Sequence, residues 1–270
     1  MSEKHGPVLG VFDSGFGGLT VLRALLPRIA GAHYIYLGDT ARLPYGAKSQ
    51  ATIARYAVES ARFLEDRGAE YLVIACNTAT ALALDEIKAA VSIPVVGVIE
   101  PVVHAAQQRY PDSEVLVMAT TATVQSHAYT KLSEAQGLRA TEKACPLLVP
   151  LVEEGWIDHP VTRDVLRIYL TEALAAVQPK AVLLGCTHYP LIAPEVEAML
   201  RELGSTAEII DSAQATAAEV ERVVITQHDS TQRAATFECF ATDSVDKFER
   251  LGGLFLGRAI ERVHHLDLGG

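Results

Sequence analysis

The sequence predicts an α/β protein built on parallel sheets, and three observations carry that reading. Short apolar runs recur from end to end with amphipathic stretches between them, the rhythm of βαβ units covered on both faces. Ala, Val, Leu and Ile dominate a composition that is 49% hydrophobic but only 6% aromatic. That balance favours helices packed on parallel strands over a sandwich built from Tyr, Thr and Trp. The polar residues best suited to chemistry fall just after the apolar runs, where open α/β sheets bind ligands.

Taken in order, VLGVF, HYIYL, YLVIA, VVGVI, EVLVMA, AVLLG and AEII each read as a strand beside a helical pattern. Between the second and third, Ile53, Tyr56, Ala57, Ser60, Ala61 and Leu64 recur at helical spacing with Arg and Glu on the other face, which predicts a helix. YLVIACNTAT (71–80) and AVLLGCTHYP (181–190) share an apolar strand, a small residue, Cys and a short polar pair. This echo suggests two half-molecules, although any two βα junctions share a strand-then-polar pattern. No Gly/Ser/Pro-rich linker divides the chain, so boundaries are placed at strand ends near 95–101 and 208–213. The expected organisation is a first α/β domain of residues 1–98 plus 211–256, a second of residues 99–210, and a tail of residues 257–270. The tail reads as a frayed end whose His264 and His265 are incidental.

A formal net charge of −10 with no run of Lys or Arg excludes the electrostatic footprint of a nucleic-acid binder. It does not exclude an acidic small molecule, because backbone N–H groups at helix N-termini act on an anion at short range. The start MSEKHGPVLGVF lacks the apolar core of a secretory signal, and no apolar run approaches the length of a membrane span. Four cysteines in 270 residues are too sparse for a disulfide scaffold and read as free thiols in a cytoplasmic protein.

Four polar clusters follow strands: Asp13 and Ser14, then Cys76, Asn77 and Thr78, then Thr120 and Thr123, and finally Cys186, Thr187 and His188. A single Cys at a strand end is more often packing than catalysis. Two at equivalent positions, each ahead of an expected helix N-terminus that lowers thiol pKa, point to reactive thiols instead. Cys145 and Cys239 lack that context and read as structural. Asp13 has the alternative of capping the next helix, and His188 of being a satisfied core imidazole. In the functional reading they polarise the two thiols. GFGG (15–18) lacks the spacing of a dinucleotide fingerprint and reads as a tight turn that lets backbone N–H groups approach a carboxylate. Arg42 is read as a structural ion pair ahead of a substrate contact.

VFDSGFGGLTV (11–21), GDTARLPYG (38–46), ACNTAT (75–80), CPLLVPLVE (145–153), GCTHYP (185–190) and IDSA (210–213) together resemble the signature segments of the glutamate racemase family, in the same order over nearly the whole chain. The resemblance implies two pseudo-symmetric α/β domains facing each other across a cleft, with substrate between them and neither cofactor nor metal. It implies that Cys76 takes the α-proton from the D-enantiomer and Cys186 from the L-enantiomer. Asp13 would assist Cys76, and His188, positioned by Glu153, would assist Cys186. Asp13, Ser14, Tyr45, Gly46, Asn77, Thr78, Thr120, Thr123, Thr187 and His188 would hold glutamate, with Thr121 a neighbouring candidate in the same Thr-rich run. The family supplies D-glutamate for peptidoglycan, and a homodimer is common in it. Some relatives carry an N-terminal extension associated with activation by a cell-wall precursor. This chain starts its first strand almost at once, so dependence on that activator is not expected. The alternatives are an aspartate or hydantoin racemase of the same superfamily, a hydrolase with Cys186 as nucleophile and His188 as base, and a non-enzymatic binder of a small acid.

Overall fold

The computed structural model describes residues 6–225 and 234–268. Its first half runs β1 (Val8–Asp13), α1 (Leu19–Leu25), β2 (His33–Gly38), α2 (Gln50–Asp66), β3 (Tyr71–Ile74), α3 (Asn77–Ala90), β4 (Val95–Gly97), α4 (Ile99–Arg109), β5 (Glu114–Ala119), α5 (Thr121–Ser126) and α6 (Ala128–Ala135). It continues with β6 (Arg139–Ala144), α7 (Leu148–Glu153), α8 (Pro160–Ala176), β7 (Ala181–Gly185), α9 (Ala193–Glu202), β8 (Glu208–Asp211), α10 (Ser212–Ile225), β9 (Thr236–Ala241), α11 (Val245–Leu256) and β10 (Val263–His265).

The strands form two sheets, one of order β10-β9-β2-β1-β3-β4 and one of order β6-β5-β7-β8. Every pairing is parallel. All seven apolar runs singled out above are strands. Three further strands carried no such run: β6 reads RATEKA on a sheet edge, β9 reads TFECFA, and β10 reads VHH. β10 corrects the expectation of a frayed tail, because Val263–His265 pair with Cys239–Ala241 and His264 stacks on Phe240 with ring centroids 5.0 Å apart.

Local chemistry explains the helices that matter here. α2 starts where the Ser49 hydroxyl accepts the Thr52 N–H at 3.4 Å, and it buries Ile53, Ala57, Ser60, Ala61 and Leu64 against the sheet while Tyr56 stays partly exposed. α1 is buried on nearly every side and packs on both α10 and α11. A single apolar cluster runs from Leu9 and Val11 of β1 through α1 to Leu116 of β5 and Val182 of β7. Each fully buried Leu in it contributes about 1.5–3 kcal/mol, so the two lobes share one packed floor. Among the described residues no helix is long and apolar enough to cross a membrane.

Candidate active site

In a parallel sheet all carboxyl ends lie on one side, and here the ends of both sheets open on one cavity of about 490 Å³. β1 delivers Ser14, Gly15 and Phe16 to its wall, β3 delivers Cys76, Asn77 and Thr78, β5 delivers Thr120 and Thr121, and β7 delivers Cys186, Thr187 and His188. The loop after β2 adds Leu43 to Gly46, and the α7 region adds Pro146, Val149, Pro150, Glu153 and Glu154. The apolar members of this wall, Phe16, Leu43, Pro44, Pro146, Val149 and Pro150, lie within the segments quoted above but carried no polar group that would mark them as site residues. Of the four cysteines only Cys76 and Cys186 line the cavity, whereas Cys145 and Cys239 are fully buried in the core.

Cys76 is the N-cap of α3, its sulfur accepting the Ala79 N–H at 3.4 Å. Its thiol donates to the Ser14 hydroxyl at 3.6 Å. Burial pushes that thiol up to about 12, and the negative charge of Asp13 adds to the rise. The expected lowering by a helix N-terminus is therefore overridden by desolvation. Asp13 is buried behind the cavity wall, and Oδ2 accepts the Gly15 N–H at 3.0 Å while Oδ1 has no partner. It is not the N-cap of α1, a position held by Gly18. Burial raises its carboxyl above the usual range, against the opposing charge of His188 and the N–H groups of Gly18, Gly15 and Ser14. The GFGG turn thus gathers backbone donors around the protein's own carboxylate.

On the other side, Cys186 Sγ lies 4.0 Å from His188 Nδ1, and burial again raises the thiol well above its ordinary value. His188 Nε2 meets Glu153 Oε1 at 3.2 Å. With the Nε2 proton given to Glu153, Nδ1 presents its lone pair to the thiol. Burial works to raise Glu153, yet the hydrogen bond and charge of His188, with Lys247, outweigh it and hold the carboxyl below the usual range. The His188 ring is fixed edge-on to Phe255, centroids 4.9 Å apart, and Thr187 Oγ1 stands 3.3 Å from Nδ1.

The hydroxyls of Thr78, Thr120 and Thr123 form a triangle with sides of 3.0–3.2 Å. Thr123 is wholly buried and absent from the cavity wall, so it supports Thr78 and Thr120 from behind, and Thr121 takes the place at the wall expected for it. Asn77 Oδ1 accepts the Tyr129 hydroxyl at 2.7 Å, which leaves Nδ2 without a protein partner. Tyr45 lines the cavity, but its hydroxyl donates to Asp39 at 2.5 Å, so any substrate contact falls to its ring or backbone and to Gly46. Arg42 is a structural ion pair, bound to Asp39 at 2.8 Å and to Glu59, with its guanidinium 4.2 Å from the Tyr56 ring centroid.

Residues 17–220 match the Asp/Glu/hydantoin racemase family. The glutamate racemase of Koribacter versatilis (strain Ellin345) is 49% identical, with 99% of this chain and 100% of that protein covered. The crystal structure of glutamate racemase from Thermus thermophilus in complex with β-chloro-D-alanine aligns with a TM-score of 0.87 at 38% identity, covering 98% of this chain and 99% of that one. The enzyme from Francisella tularensis subsp. tularensis SCHU S4, solved with D-glutamate, aligns with a TM-score of 0.86 at 32% identity over 98% of both chains. With most of its length inside the family match and close relatives spanning nearly all of it, the chain belongs to the Asp/Glu/hydantoin racemase family, among its glutamate racemases.

Proposed function

We propose that the protein interconverts L- and D-glutamate without a cofactor, by proton transfer between substrate and two thiols. The observation that carries this is the placing of Cys76 and Cys186 on one cavity, at matching strand ends of two parallel sheets, each beside its own ionisable partner. Inverting a stereocentre by deprotonation needs a base on one face and an acid on the other. From D-glutamate, the Cys76 thiolate removes the α-proton and the electron pair passes into the carboxylate. The Cys186 thiol then protonates the opposite face, and the roles exchange in the reverse direction. Asp13 and His188, steadied by Glu153, take up and return the thiol protons. Ser14, Thr78, Thr120, Thr187, the free Asn77 amide and the Tyr45–Gly46 backbone hold the ammonium and carboxylates. In the cytoplasm the product would serve as D-glutamate for peptidoglycan.

The Cys186–His188–Glu153 sequence of contacts also fits a thiol hydrolase, but that chemistry leaves Cys76 without a task. An aspartate racemase would use the same thiols, and the names borne by the relatives favour glutamate. The test starts from either pure enantiomer of glutamate in deuterated water, with aspartate in parallel and no cofactor added. Early product should carry solvent deuterium at Cα while remaining substrate stays unlabelled, because the departing proton rests on one thiol and the incoming one comes from the other. Equal early labelling of substrate and product would mean one shared base, and faster turnover of aspartate would reassign the substrate.

A further inference from the structure

We propose that Lys247 is a positioning residue for the Cys186 half of the site, acting through Glu153 from the opposite lobe. This rests on the reading of Cys186 and His188 as a proton-handling pair. Lys247 lies in the first turn of α11, which packs on α1 and β10 of the first lobe. Glu153 ends α7, which follows β6 of the second. Ninety-four residues apart in sequence, they meet with Nζ 3.3 Å from Oε2. The ammonium also lies 5.3 Å from the centroid of Phe16, a ring of the cavity wall, so the contact crosses at the rim of the site.

The Glu153 carboxylate is divided between two partners: Oε1 takes the His188 Nε2 proton at 3.2 Å and Oε2 takes Lys247. This division has two consequences. It fixes the carboxylate plane, and with it the tautomer that turns the Nδ1 lone pair toward Cys186. It also shares the carboxylate charge, so that Glu153 does not bear on His188 alone. The groups around His188 are Cys186 from its own loop, Glu153 and Glu154 from the α7 wall, Asp13 and Cys76 from the ends of β1 and β3, and Lys247 from α11. Of these only Lys247 is a cation. Without it the Glu153 carboxyl loses one of the charges that hold it below the usual range, and a carboxyl that takes up its proton at higher pH ceases to accept from Nε2 and releases the tautomer that serves Cys186.

The experiment uses the full chain and its Lys247→Met and Lys247→Arg variants. Alkylation of the Cys186-bearing peptide by iodoacetamide is followed by mass spectrometry across pH, alongside kcat/KM for glutamate. In Lys247→Met the acid limb of both profiles should move to higher pH by about half a unit, roughly a threefold loss below the limb, as befits a partly exposed ion pair. Lys247→Arg should keep the parent profile. Added salt should move the parent limb in the same direction, because the lysine is 43% exposed and its charge is screened. An unmoved limb in Lys247→Met, whatever its rate or Tm, would reduce Lys247 to a surface tether and overturn the proposal. A moved alkylation limb in a protein that racemises no glutamate would sink the proposed function and leave this inference standing.

Discussion

Gly17→Ala probes the contact on which the two half-sites depend. A Cβ on Gly17 would lie 2.6 Å from both Cε1 and Nδ1 of His188, and closer still to Thr187 Oγ1. Thr20 Oγ1 ties the same turn to the Thr187 carbonyl at 3.0 Å. Neither neighbour is the free end of a flexible chain, since the His188 ring is held by Glu153 and packed on Phe255. To restore ordinary contact the ring must retreat by about 1 Å, a displacement that costs on the order of 10²-fold when it falls on a catalytic group. Overpacking should cost about 1–3 kcal/mol of stability, leaving the protein folded. Because the enantiomers have equal free energy, kcat/KM must fall by the same factor in both directions, and any inequality appears in kcat and KM separately. Circular dichroism progress curves from each enantiomer, with thermal unfolding, measure both effects. Gly253→Ala on α11 serves as control, its Cβ meeting nothing closer than 3.6 Å. A Gly17→Ala enzyme within about twofold of the parent would show that His188 placement does not limit turnover, and would refute the reasoning.

Cys76→Ala and Cys186→Ala should each abolish racemisation in both directions with the fold intact, whereas Cys145→Ala should keep most of its turnover; polarimetry decides, and a single-thiol variant of near-normal activity would end the two-thiol assignment. Asp13→Asn should slow turnover yet raise the unfolding temperature at neutral pH. A carboxyl raised by burial gives stability that is present below its unfolded pKa and lost as pH rises through the folded one. The stability gain of the Asn variant should therefore shrink as pH falls toward about 4, and an Asn variant less stable than the parent at pH 7 would contradict the burial argument.

The sequence disclosed what depends on local pattern. Strands such as YLVI, buried on both faces, are continuous apolar runs and were legible, as was α2 from its spacing. β6 was not, because a half-covered edge strand alternates Arg, Thr and Lys with Ala, Glu and Ala and so carries no apolar run. In the site, residues that follow strand ends could be placed from position alone. Thr123 could not, since three Thr in five residues share the same local signal and only packing puts Thr123 behind Thr120. Lys247 was invisible for a different reason, being one charge on an exposed helix face whose partner lies on the other lobe. Tyr45 was found, but the donation of its hydroxyl to Asp39 could not be read from PYG.

The thiol pKa is where local reasoning and tertiary burial point in opposite directions, and magnitudes decide between them. A helix N-terminus is worth about 0.3–1 kcal/mol to a nearby anion. The rise at Cys76 from 9.0 to about 12 corresponds to roughly 4 kcal/mol at 1.36 kcal/mol per unit, so desolvation wins. A high thiol pKa suits the proposed reaction. The α-proton of an amino acid is a very weak acid, and the proton-transfer gap narrows as the accepting thiolate becomes more basic. What burial makes costly is forming the thiolate at all, and the site meets that cost with neighbours rather than with an exposed, acidic thiol. His188 stands beside Cys186 to accept its proton, and although the charge of Asp13 adds to the cost at Cys76, the substrate ammonium brings a positive charge into a cavity of low dielectric, where it acts strongly on any thiolate there. Ionisation of either thiol would then be favoured by substrate arrival.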